Sequence, residues 1–117
     1  MAKTAMDLVQ AAKAGIREVS VSQAQQMLNE DSIALDVREP AEFDDGHIGN
    51  TRHIPRGMLE FAIANDPDFQ DKTRSIVVYC KSGGRSALAT ATLQQLGFTN
   101  AVSVIGGYDA WQDGENA

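Results

Sequence analysis

The sequence predicts an α/β domain in three layers, with a parallel sheet of about five strands and helices on both faces. Three observations carry that prediction. Short apolar runs alternate with segments of helical spacing along the chain. Two of the runs, Ile33–Val37 and Ser75–Tyr79, are apolar almost without a break, as strands covered on both faces must be. The 117 residues suffice for one such core and not for two. In a sheet of this kind, ligands bind at the carboxyl ends of the strands.

Met6, Val9, Ala12 and Ile16 recur at near-helical spacing and predict a helix over residues 5–15, ending near Gly15. Glu18–Val21 follow as a short strand. Ser22 is the expected N-cap of the next helix, whose inner face is Ala24, Met27 and Leu28. After the Ile33–Val37 strand, Pro40 opens a short helix over Ala41–Asp44. Ile54 lies in another short strand, closed by Pro55. Residues 57–64 read as a helix with Met58, Phe61 and Ala62 inward, and Asn65–Thr73 as a polar connection.

Ser75–Tyr79 is the strand with the strongest β-branched and aromatic signal. Cys80–Arg85 form a glycine-bearing turn. Residues 86–96 are expected as an amphipathic helix, with Ala87, Leu88, Ala91 and Leu96 among its apolar positions and Gly97 as its stop. Ala101–Ile105 is the last strand, Gly106 and Gly107 turn the chain, and Tyr108–Trp111 make a final helical turn. The whole chain, 1–117, reads as one domain: an N-terminal helical segment 1–16, a core 17–112, and a tail 113–117 expected to fray.

A net charge of −6 argues against a general attraction to nucleic acid or to an anionic membrane surface. The charge is unevenly placed. Glu30, Asp31, Asp36, Glu39, Glu42, Asp44 and Asp45 surround Arg38, whereas Lys72, Arg74, Lys81 and Arg85 occupy a stretch with no acid. That cationic stretch suits a small anion. A single cysteine rules out an internal disulfide and hence a disulfide-stapled scaffold. Asp7 and Lys13 interrupt any signal-like apolar core, and no stretch approaches the roughly 18 apolar residues of a membrane span. A soluble, cytoplasmic protein is the expectation.

The chemistry is concentrated in Tyr79-Cys80-Lys81-Ser82-Gly83-Gly84-Arg85-Ser86. A buried strand delivers Cys80 to the carboxyl edge of the sheet, and a helix follows. The two glycines between them let the backbone turn its N–H groups inward. Such a nest of donors, with the partial positive charge of a helix N-terminus, stabilises a bound anion or a thiolate. A cysteine in that setting has its pKa lowered from about 8.5. Lys81 and Arg85 fit the cationic role, and Ser82 and Ser86 offer hydroxyl groups, Ser86 alternatively as a helix cap.

The loop CKSGGRS resembles the active-site loop of rhodanese-like domains, in which a cysteine opens a six-residue turn that contains glycine and ends in arginine. Two further segments agree with that family: DVREPAEFDDGHI, and the closing IGGYDAW. The resemblance extends from about Glu18 to Trp111. Where relatives commonly read Pro-Gly-Ala and then Asn-Ile-Pro after the Gly-His-Ile segment, this chain has Gly49-Asn50-Thr51-Arg52-His53-Ile54-Pro55. Lys81 stands where several relatives carry Arg, and it lacks the bidentate fork of a guanidinium.

The resemblance implies a rhodanese-like fold and a sulfurtransferase working through covalent catalysis. Cys80 would take sulfur from a small anionic donor such as thiosulfate, hold it as a persulfide within the loop Lys81, Ser82, Gly83, Gly84, Arg85 and Ser86, and yield it to cyanide, a thiol or a protein acceptor. No metal or organic cofactor is implied. Asp36 and Arg38 are candidates for a supporting role at the loop, with structural hydrogen bonding as the plainer reading. His47, His53 and Trp111 are expected to be structural, and Asp44 and Asp45 to be solvated surface. Two other functions share Cys80: a sulfur-carrier module serving a partner protein, and a phosphatase of the same fold. The phosphatases of this fold have five residues between cysteine and arginine, whereas Cys80 and Arg85 are separated by four.

Overall fold

The computed structural model describes residues 2–115. In chain order it comprises α1 (Ala5–Gly15), β1 (Glu18–Val19), α2 (Val21–Asn29), β2 (Ile33–Asp36), α3 (Pro40–Asp44), β3 (Thr51–His53), α4 (Leu59–Asn65), β4 (Ile76–Tyr79), α5 (Gly84–Gln95), β5 (Ala101–Val104) and α6 (Gly107–Glu115). Short 3-10 turns at Arg56–Met58 and Pro67–Phe69 flank α4. The five strands form one sheet in the order β1-β5-β4-β2-β3, every neighbouring pair parallel.

The period-2 alternation of β4 divides the core. Ile76 and Val78 face a cluster with Leu35, Leu59, Ile63, Ala89 and Leu93, which belongs to the α4 and α5 side. Val77 and Tyr79 face a second cluster with Val19, Ala24, Ala34, Val104 and Trp111, on the α2 and α6 side. All four β4 residues are fully buried because β2 and β5 flank them and helices cover both faces. Cys80, next along the chain, joins the α5-side cluster.

Several boundaries differ from the sequence expectation. Ser20, not Ser22, caps α2: its hydroxyl accepts from the Gln23 amide at 3.1 Å while the Gln23 side chain accepts from the Ser20 amide at 2.8 Å. This reciprocal box satisfies two N-terminal donors and starts the helix at Val21. The third strand is Thr51–His53, and Ile54 lies just beyond it in the core. Leu59 and Ile63, four residues apart, form the buried face of α4. Met58 and Phe61 therefore point outward, 55% and 77% exposed, against the expectation that they face inward. The final helix runs past Trp111 to Glu115, so the described part of the expected frayed tail is helical, and residues 116 and 117 lie outside the described residues. Among the described residues no helix is long and apolar enough to cross a membrane.

Candidate active site around Cys80

Helix α5 starts at Gly84, two residues earlier than its sequence pattern suggests. Gly83, the N-cap, has φ +115°, a left-handed conformation open to glycine at little cost. That single turn folds the end of the loop into the first turn of the helix. The Gly83 amide then donates to Cys80 Sγ at 3.1 Å, and Ser86 Oγ lies 3.5 Å from the sulfur. The amides of Ser86 and Ser82 also act on the sulfur. Cys80 is 1% exposed.

Burial pushes the Cys80 thiol up, but the Ser86 hydroxyl and the amides of Ser86, Gly83 and Ser82 together outweigh it, and the thiol titrates below its ordinary range. Ser86 Oγ is also 2.8 Å from Ser103 Oγ, a buried hydroxyl on β5. The Ser86 hydroxyl donates to the Gly83 carbonyl at 3.3 Å; once the thiol has lost its proton, that hydroxyl can turn to the sulfur instead while Ser103 donates to Ser86. The alkylation rate of Cys80 should therefore show a pH midpoint below the roughly 8.5 of a free cysteine. Ser86→Ala, which removes the side-chain donor, should raise that midpoint. An unchanged midpoint in Ser86→Ala would remove the hydroxyl from this account.

The opening of the loop is held from the other side. The first amides of α6 cap its carbonyls: Tyr108 N–H donates to the Cys80 carbonyl at 2.8 Å and Asp109 N–H to the Lys81 carbonyl at 3.0 Å. This approach is close enough that a Cβ on Gly107 would lie 2.5 Å from the Cys80 carbonyl oxygen. The turn Gly106-Gly107 is thus part of the site.

The cations expected to depress the thiol and attract an anion are both paired. Arg85 makes a bidentate bridge to Glu42 on α3, at 2.6 and 3.0 Å. Glu42 is held well below the usual carboxylate range, at about 2, first by that hydrogen bonding to Arg85. Lys81 Nζ reaches Asp109 on α6 at 3.1 and 3.3 Å. The depression of the Cys80 thiol comes first from hydrogen-bond donors, and Arg85 and Cys80 share a smaller Coulombic attraction.

Asp36 and Arg38 are buried at the end of β2 and bind each other. The Arg38 amide donates to Asp36 Oδ1 at 2.8 Å, its guanidinium grips the same carboxylate at 2.7–3.1 Å, and it also donates to the Gly46 carbonyl at 2.7 Å. The guanidinium lies 4.6 Å from the centre of the Tyr108 ring. These contacts tie the β2 end to the loop at Gly46 and to α6. His47 and His53 stack on the two sides of Phe43 and contact the backbone carbonyls of Ile48 and Arg38, both at 2.8 Å. Among the described residues no three or more His, Cys, Asp or Glu side chains gather where they could hold a metal ion.

Three site residues escaped the sequence reading. Ser103 carried a signal, as the one polar residue inside the buried run Ala101-Val102-Ser103-Val104. Glu42 was legible as part of a motif but not as the partner of Arg85, because 43 residues separate them. Asp109 stood in the quoted IGGYDAW segment but was not legible as the partner of Lys81, from which it is separated by 28 residues.

Residues 20–114 match the family model of the rhodanese-like domain. The chain is 39% identical over 103 residues to thiosulfate sulfurtransferase 16, chloroplastic, of Arabidopsis thaliana, covering 80% of this chain and 84% of that protein. A protein of unknown function from Rhodopseudomonas palustris, described as a possible tyrosine phosphatase, superposes with a TM-score of 0.89 at 31% identity over 98% of this chain and 93% of its own. The polysulfide-sulfur transferase homodimer of Wolinella succinogenes gives a TM-score of 0.76 at 34% identity, over 92% and 80% of the two chains. With its five-stranded parallel sheet, the cysteine-headed loop and these relatives, the chain belongs to the rhodanese-like domain family and is an enzyme of its sulfurtransferase type.

Proposed function

We propose that the protein moves sulfane sulfur from thiosulfate or a related donor to a thiophilic acceptor through a persulfide on Cys80. The observation that carries this reading is the Gly83 amide at 3.1 Å from a buried sulfur whose thiol is depressed by hydrogen-bond donors. The Cys80 thiolate attacks the outer sulfur of thiosulfate. A new S–S bond forms, and sulfite leaves with the electron pair of the old one. The terminal sulfur of the persulfide is then taken by the acceptor. Cyanide attacks it, thiocyanate departs, and the Cys80 thiolate is restored. A thiol, free or on a partner protein, fills the same place in the second half-reaction, which supports ping-pong kinetics.

The Rhodopseudomonas neighbour favours a second reading, phosphate-ester hydrolysis. Ring size argues against it. Only four residues separate Cys80 from Arg85, and the turn closes on the sulfur itself, which suits one added sulfur atom better than a tetrahedral phosphate. Intact mass after thiosulfate treatment should rise by one sulfur atom and fall back on adding cyanide, while aryl phosphates should not be hydrolysed. Cys80-dependent phosphatase turnover with no sulfur adduct would overturn the proposal.

A further inference from the structure

A cleft of about 280 Å³ adjoins the loop, lined among others by Arg38, Glu42, Asp45, Lys81 and Asp109. A receptor for a small dianion would be expected to present uncommitted cations there. Instead, each cation that lines the cleft or closes the loop has a carboxylate close by: Arg38–Asp36 at 2.7 Å, Lys81–Asp109 at 3.1 Å and Arg85–Glu42 at 2.6 Å. Asp45 adds a further negative charge to the wall. The three pairs differ in how easily they open. Arg38–Asp36 is buried, and Arg85–Glu42 is bidentate and ties α3 to the loop. Lys81–Asp109 is the open one, with side chains 62% and 50% exposed, and such a pair is weak enough to be exchanged for a ligand.

We propose that Asp109 is a specificity-determining residue that sets the donor charge this site accepts. By holding the Lys81 ammonium it turns the site against small dianions and toward donors that deliver sulfane sulfur with less negative charge. The inference rests on the sulfurtransferase reading above and adds the class of donor. A dianion must displace Asp109 from Lys81 and approach its carboxylate, whereas a monoanion meets half the repulsion. An alkyl thiosulfonate isolates that difference. The Cys80 thiolate attacks its outer sulfur as it attacks that of thiosulfate, and an alkanesulfinate leaves with the bonding pair where sulfite would have left.

The test is steady-state kinetics of Asp109→Asn with thiosulfate and with methanethiosulfonate, cyanide being the acceptor. The KM for thiosulfate should fall about three- to tenfold, and that for the thiosulfonate by less. Lys81→Ala should raise the thiosulfate KM more in the Asp109→Asn background than in the parent, because only there is the ammonium released from its partner. A thiosulfate KM that stays constant or rises in Asp109→Asn, or equal changes for the two donors, would overturn the proposal. Intact mass separates the two failures. A Cys80 sulfur adduct with an unaltered KM rejects the role of Asp109 alone, whereas no adduct from either donor rejects the sulfurtransferase reading and this inference with it.

Discussion

Replacing Cys80 by serine is expected to abolish sulfur transfer while leaving the fold in place. The sulfur is the one group at the head of the loop able to attack sulfane sulfur, and a serine hydroxyl is neither ionised at neutral pH nor thiophilic. The loop's donors lower the pKa of a group that is already acidic enough to respond, and a hydroxyl is too far above neutrality for the same donors to expose an alkoxide. Turnover with thiosulfate and cyanide should fall about a thousandfold or more. The mass increase after thiosulfate should disappear with it. The fold should persist because serine is slightly smaller than cysteine, and its oxygen can still accept from the Gly83 amide. The melting temperature should therefore stay within about 5 °C of the parent. A Cys80→Ser protein with substantial residual transfer would show that the nucleophile lies elsewhere.

Gly107→Ala is expected to give the largest loss of stability in the loop region. Gly107 has φ +58°, which costs a non-glycine residue about 1–2 kcal/mol. Its Cβ would also stand 2.5 Å from the Cys80 carbonyl oxygen and 2.7 Å from the carbonyl carbon and oxygen of Lys81. These are backbone atoms that cannot rotate away, so α6 or the loop must move. The movement weakens the bonds from the Tyr108 and Asp109 amides, each worth about 1 kcal/mol. The sum is about 3–4 kcal/mol, a large share of the roughly 5–15 kcal/mol that holds a domain together. Thermal unfolding should show a fall of about 15 °C or more, and activity should drop because the Cys80 carbonyl loses its anchor. Gly15→Ala is the matched control. Nothing lies within 4 Å of a Cβ there, and stability should change by no more than about 1 kcal/mol. Equal melting temperatures for the two variants would show that the α6 turn does not hold the loop.

The strand order along the chain and the place of Cys80 at the head of its loop were legible because both depend on local patterns. The nearly continuous apolar runs at Ile33–Val37 and Ser75–Tyr79 are best satisfied by strands covered on both faces, and the structure buries β4 completely. A cysteine followed by two glycines at the end of such a strand has to sit at the sheet's carboxyl edge, with amides turned toward it. Boundaries were less legible where two local signals competed. Ser20 and Ser22 both suit an N-cap, and the choice fell to Ser20 because Gln23, three residues on, completes its box. Phe61 looked inward by hydrophobicity, but the sheet took the face defined by Leu59 and Ile63.

Period, apolar runs and glycine placement are properties of contiguous residues, and they carried the parallel α/β architecture and the position of Cys80 at its carboxyl edge. The electrostatics of the site, by contrast, arose from packing between distant segments. Lys81 and Arg85 stand in an acid-free stretch of sequence, yet in space each has a carboxylate brought from a distant helix, Asp109 from α6 and Glu42 from α3. Charge acts through distance in space and not along the chain, so the pairing of both cations with carboxylates came into existence only when the sheet set α3, α5 and α6 around Cys80.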